Sequence, residues 1–186
     1  DADEISKLCS EIGTSWSSGV SFTKEKTEGD QVIKPGFRSP QIGALHALQA
    51  HWTVSDKIAT VVMPTGTGKT ETMIAAGVQE RAKCILVIVP SDALRTQIAE
   101  AFEQLGILPK AGLIDESAQY PVVSLLRKRP TSVEEARSLF GISNVIVTTM
   151  SIAAGVSPEI QAAMAECTSH LFIDEAHHVA ARTWRE

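Results

Sequence analysis

Apolar runs and helically spaced apolar positions alternate from about residue 37 onward, and the alternation predicts the elements of this chain. Cys84-Ile-Leu-Val-Ile-Val89 is unbroken, the pattern of a strand buried on both faces of a parallel sheet, and Pro90 stops it. Ile58 to Met63, Asn144 to Thr148 and His170 to Ile173 predict further strands, with a shorter one expected at Ala111 to Ile114. Between them, Ile42, Leu45, Leu48 and Trp52 repeat at helical spacing after Pro40, and a second helix is expected from Lys69 to about Arg81. Ser91 or Asp92 caps a third, with Leu94, Ile98, Ala101, Phe102 and Leu105 on its apolar stripe and Gly106 at its end. Ser132 and Glu135 form a capping box for a helix through Phe140, closed by Gly141. Ser157-Pro158 opens a last helix to about Cys167. Strands alternating with helices predict an α/β fold: a three-layer parallel sheet with helices on both faces, right-handed crossovers and ligands at the carboxyl edge.

Residues 1–36 are rich in Ser, Thr, Glu, Lys and Gly with weak periodicity, so they are expected to be a loose lead-in or part of a preceding module. Residues 37–186 then form one domain, as a length of 186 residues suggests. Apolar residues at 44% and charged residues at 21% describe an ordinary globular chain. A net charge of −5 supplies no global attraction to polyphosphate, so any nucleic-acid contact must rest on local groups. Cys9, Cys84 and Cys167 are far apart in sequence and lack Cys-x-x-Cys spacing, which predicts reduced thiols and a cytoplasmic protein. The longest apolar runs fall far short of a membrane span. The chain starts at Asp1 rather than Met, which leaves a removed leader open.

The chemistry concentrates at Met63-Pro64-Thr65-Gly66-Thr67-Gly68-Lys69-Thr70, behind one apolar run and ahead of a helix. This is the phosphate cradle of a P-loop NTPase, with Met63 standing where the strict pattern has a small residue. Gly66 and Gly68 let the backbone curl until successive N–H groups, those around Thr65 and Thr67 included, converge on phosphate oxygens. Lys69 offers a point charge to the β- and γ-phosphates, and the Thr70 hydroxyl a ligand to Mg²⁺. An acidic partner is expected just past a buried strand. Asp115-Glu116 follows a short run interrupted by Gly112, whereas Asp174-Glu175 follows the cleaner His170 to Ile173, so Asp174 is the preferred metal carboxylate. Glu175 is then positioned to take a proton from attacking water, which implies hydrolysis rather than transfer to a small molecule. A zinc site at His177-His178 is disfavoured because consecutive histidines do not converge easily on one tetrahedral ion.

With Thr65-Gly-Thr-Gly-Lys-Thr70 and Asp174-Glu-Ala-His177 both present, the chain resembles the first RecA-like domain of a superfamily 2 helicase or translocase. Phe37-Arg38-Ser39-Pro40-Gln41 is similar to that superfamily's Arg-x-x-Gln motif, which implies that Gln41 reads the adenine edge while Arg38 anchors the loop or stacks on the ring. Val89-Pro90-Ser91 with Leu94 and Gln97 resembles motif Ia, and Val147-Thr148-Thr149-Met150 resembles the strand-end motif that touches the nucleic-acid backbone. The implied phosphate contacts are Ser91, Arg95, Thr148 and Thr149, with the basic trio Arg127, Lys128 and Arg129 as the alternative. His177 is expected to couple this site to a neighbouring motif. The Asp-Glu-Ala-His-His form, with Trp184-Arg185-Glu186 after it, is most similar to the DEAD/DEAH-like group that includes helicase subunits of type III restriction enzymes.

The resemblance implies ATP and Mg²⁺ as ligands, nucleic acid as a partner with DNA ahead of RNA, and a second RecA-like domain that supplies an arginine finger. A coupling motif of Ser-Ala-Thr type, on a strand between the P-loop strand and the strand leading to Asp174, is also implied but does not follow Glu186. The chain is therefore expected to be a fragment of a larger enzyme, with a gap in its sheet and low turnover alone. Two other functions stay open: a P-loop ATPase or transferase that does not act on nucleic acid, and a nucleotide-responsive interaction module without turnover.

Overall fold

The structure, a computed structural model, describes residues 1–176, so His177 and the segment 177–186 lie outside the described residues. Its elements run α1 (Ala2–Ser15), β1 (Lys26–Glu28), β2 (Gln31–Lys34), α2 (Ser39–Val54), α3 (Lys69–Gln79), β3 (Ile85–Val89), α4 (Asp92–Glu103), β4 (Val123–Leu125), α5 (Val133–Gly141), β5 (Val145–Thr149), α6 (Met150–Ala153), α7 (Pro158–Cys167) and β6 (His170–Ile173). The main sheet has the order β4-β5-β3-β6 with every pair parallel, and β3 is central with Ile85 opposite both Val145 and His170. All four strands therefore deliver their following residues to one carboxyl edge.

Because a strand's side chains alternate, β3 serves two cores at once. Ile85, Val87 and Val89 pack with Ile12, Trp16, Leu45, Ile74, Ile98 and Phe102, from α1 to α4, on one face. Leu86 and Ile88 pack with Ala136, Phe140, Ile160 and Met164, from α5 and α7, on the other. Burial of each such side chain contributes about 1.5–3 kcal/mol, which is why the continuous run at 85–89 could be nothing but a central strand. This is the expected three-layer α/β fold of RecA-like type.

Three expectations fail. Ile58 to Met63 is not a strand: the segment is irregular and unpaired, with Ile58 94% and Val62 90% exposed. A strand is stable only with a ladder partner, and no described strand lies beside this segment or along the outer edge of β6. Ala111 to Ile114 is a pair of turns, with Gly112 at φ +63 and Leu113 N donating to Leu108 O at 2.8 Å; the strand of this region is β4, further on. Residues 1–36 are not loose. Helix α1 buries Cys9, Ile12 and Gly13, the indole of Trp16 donates to Gln119 O at 3.0 Å, and β1 and β2 form an exposed antiparallel hairpin.

The cysteines gather at the amino edge of the sheet. Cys84 precedes β3, Cys167 ends α7 beside it, and Cys9 O accepts from the Asn144 side chain at 2.8 Å. None is in a disulfide, and burial, with smaller effects from Cys167 and Cys9, pushes the Cys84 thiol up to about 12. Among the described residues no His, Cys, Asp and Glu cluster could hold a metal ion, and no helix is long and apolar enough to cross a membrane.

Candidate functional site

Helix α3 begins directly out of the glycine loop. Gly68 is its N-cap at φ +88 and Gly66 sits at φ +78, both in the left-handed region that a side chain disfavours. Thr67 closes a turn between them, its N–H and hydroxyl both donating to Pro64 O, at 3.3 and 2.6 Å. No side chain caps α3, so its first N–H groups keep their hydrogen-bonding capacity and the positive end of the helix dipole faces outward. Lys69 and Thr70 occupy this first turn, half-buried, while Thr65 and Gly66 are exposed. An uncapped helix start with open space around Gly66 fits a phosphate chain, and Thr70 is where a hydroxyl ligand to Mg²⁺ would stand.

The loop is held from below by α2. Arg38 Nη1 donates to Gly66 O at 2.7 Å, and Gln41 Nε2 donates to Gly68 O at 3.2 Å. Gln41 Oε1 also accepts from Arg38 N at 2.7 Å, which makes Arg38 and Gln41 a capping box whose side chains reach the loop. Gln41 is 2% exposed, so the alternative of a solvent-facing helix start is excluded; its amide keeps one N–H and one lone pair unspent. From the other side Glu71 Oε2 accepts from Ile107 N at 2.9 Å, tying the start of α3 to the turn after α4. This Glu71 contact had no sequence signal beyond an acidic residue in a first helical turn.

The carboxylate half stands at the carboxyl edge of the sheet. Asp174 N donates to Ile88 O at 2.9 Å, extending the β6 ladder by one residue, and Asp174 Oδ1 accepts from Glu175 N at 3.0 Å. Glu175 takes φ +52, a conformation costly outside glycine, and so turns the chain sharply off the strand. The competing Asp115 spends its carboxylate on Ser117, whose hydroxyl and N–H hold it below the usual range. With Ile58 to Met63 unpaired, the loop rests on α2 and the turn after α4, while Asp174 and Glu175 rest on β3. The two halves of the site thus have different supports.

The expected phosphate contacts divide as well. Ser91 is exposed and caps α4, accepting from Leu94 N at 3.3 Å. Arg95 is 5% exposed: Nη1 pairs with Asp92 at 2.8 Å, and Nε is buried with no partner. The Thr148 hydroxyl is fully buried and donates to Leu126 O at 3.2 Å, and Thr149 pairs with Ser151. A surface grip by the side chains of Arg95 and Thr148 is therefore not what these positions offer. Arg127, Lys128 and Arg129 are exposed past the end of β4, with Arg129 Nη2 donating to Ser151 O at 3.2 Å.

No curated protein and no solved structure matches the chain. The loop, the Asp-Glu pair at a strand end and the parallel sheet agree with a family model for the type III restriction enzyme res subunit, which matches residues 34–186. The chain belongs to that family, whose domain is a helicase-like ATPase unit, the first RecA-like domain of superfamily 2.

Proposed function

We propose that this chain is the ATP-binding and hydrolysing motor domain of a nucleic-acid helicase or translocase, acting with a second RecA-like lobe. The observation that carries the reading is the uncapped start of α3, with Lys69 and Thr70 in its first turn behind two left-handed glycines. Backbone N–H groups and Lys69 bind the phosphates, and Thr70 with Asp174 would hold Mg²⁺. When bound, the ion neutralises charge that builds on the transferring phosphate. Glu175 accepts the proton of the attacking water, and His177 couples the site to the rest of the motor. Gln41 uses its unspent donor and acceptor on the adenine edge. These roles require the unpaired Ile58 to Met63 segment to close onto the sheet, through a strand seated along the outer edge of β6; that is why we read the chain as part of a larger enzyme.

Support for nucleic acid comes from Ser91 and the exposed Arg127, Lys128 and Arg129 near the same edge, DNA being our preferred partner. The burial of Arg95 and Thr148 favours the second reading, an ATPase that does not act on nucleic acid. Hydrolysis by the intact enzyme, measured with and without single- or double-stranded DNA and RNA, separates the two. Stimulation supports the motor; unchanged hydrolysis supports the second reading.

A further inference from the structure

We infer that residues 23–25, which precede the family match, form part of the nucleotide site, with Glu25 as a positioning residue that fixes Arg38 on the glycine loop. The inference rests on the loop being a nucleotide site, as proposed above. The geometry starts at Phe37, whose ring is fully buried. Its N–H donates to Thr23 O at 2.8 Å, and its carbonyl accepts from Glu25 N at 2.9 Å. The approach needs Gly36, because a Cβ there would lie 2.6 Å from Glu25 N and 2.7 Å from Thr23 O. About two turns along α2, His46 stacks on Phe22 at 4.5 Å between ring centroids. Residues 22–25 are thus fixed against the start of α2.

Glu25 follows from that fixation. Its carboxylate, 22% exposed, stands 3.9 Å from Arg38 Nε, while Arg38 Nη1 holds Gly66 O at 2.7 Å. A guanidinium is planar and rigid, so a charge held at its Nε edge sets the direction of its Nη edge. The peptide after Gly66, which sits at φ +78 with open space around it, is held at its N–H by the 3.3 Å bond from Thr67 N to Pro64 O and at its carbonyl by Arg38, the shorter of the two bonds. The relay therefore runs from Glu25 through Arg38 to the Gly66 carbonyl, and it turns the loop's peptide groups before any phosphate arrives. Preorganisation of this sort appears as affinity.

The test is a double-mutant cycle on the full-length protein with Mg²⁺, using N-methylanthraniloyl-ADP as the fluorescent probe. Glu25→Gln removes the charge and keeps the shape. A partly exposed ion pair of this length corresponds to a loss of about two- to fivefold in affinity. The same change in an Arg38→Ala background is expected to cost nothing further, since Glu25 acts through Arg38. The unfolding midpoint without nucleotide is expected to stay the same in Glu25→Gln, which separates positioning from a general loss of structure. Equal losses in both backgrounds, no loss, or a gain in affinity overturns the inference while leaving the nucleotide site intact. Failure of the unmutated protein to bind the probe overturns the nucleotide reading, and this inference with it.

Discussion

Gly68 does three things at one position: it ends the loop, starts α3 and leaves room for the Gln41 amide. Gly68→Ala adds a Cβ in a left-handed conformation, at a cost of about 1–2 kcal/mol, and drives that Cβ into the Gln41 side chain. We expect nucleotide affinity to fall by more than tenfold in calorimetric titration, and an unchanged affinity would mean that the Gln41 brace is dispensable. Lys69 and Glu175 are separable by the stage at which each acts. In the intact enzyme, Lys69→Ala should weaken ATP binding, while Glu175→Gln should keep binding and suppress hydrolysis. Equal loss of binding in both variants would remove Glu175 as the base. Arg95 teaches the opposite lesson about side chains read singly. It lies on the same helical stripe as Ile98, Ala99 and Phe102, all buried, so its burial was written in the spacing although its charge suggested a surface contact.

Elements meet through a few buried polar groups, of which Asn144 is the clearest. Fully buried just before β5, it donates to Cys9 O in α1 at 2.8 Å and accepts from Val122 N ahead of β4 at 3.1 Å. Asn144→Ala leaves the Val122 N–H without this partner inside the protein. A destabilisation of about 1–3 kcal/mol follows, readable as a drop of several degrees in the unfolding midpoint. A midpoint unchanged by the substitution would show that α1 and β4 are held by packing alone. The P-loop limb is the contrasting case. Residues 58–63 lack ladder bonds, whereas β3 has a neighbour on each side. Amide hydrogen exchange of this chain should therefore be fast at 58–63 and slow at 85–89, and protection of 58–63 comparable to β3 would contradict the unpaired segment.

At the scale of the whole molecule, β4 and β6 are the two edge strands of the main sheet, and β6 is the one next to the acidic pair. Leu171 is 52% exposed, and the β6 edge borders an open groove of about 250 Å³ lined by Trp52, Glu80, His170 and Phe172. His170 lies edge-on to Trp52 at 5.7 Å, and burial holds its imidazole below the usual value of 6.5, with Glu80 pulling weakly the other way. A histidine depressed in the folded state resists a proton that the unfolded chain accepts. Its contribution to stability is therefore full above pH about 6.5 and is lost as pH falls below that value. Thermal unfolding should show this loss before the carboxylates begin to titrate, and His170→Gln should flatten it. An identical pH profile in the variant would assign the slope to other groups. Seating a strand in the groove would bury His170 further and join the limb that carries Lys69 to the strand that carries Asp174.

The amino-acid sequence by itself determined the class of fold, the glycine loop and the acidic pair, because each depends on local order: a continuous apolar run, glycines where the chain must curl, carboxylates directly after a strand. Arg38 and Gln41 were legible for the same reason, three residues apart at a helix start. Sequence could not decide whether Ile58 to Met63 would be a strand, since that depends on a neighbour to complete its hydrogen bonds rather than on its own apolar residues. Nor could it decide the use of residues 1–36, whose weak periodicity hides one well-packed helix and one close backbone approach. The tertiary structure settled both by supplying or withholding partners. It set Glu25 beside Arg38, and it left the segment ahead of the loop exposed, because contacts between residues distant in the chain are made only when the elements are assembled.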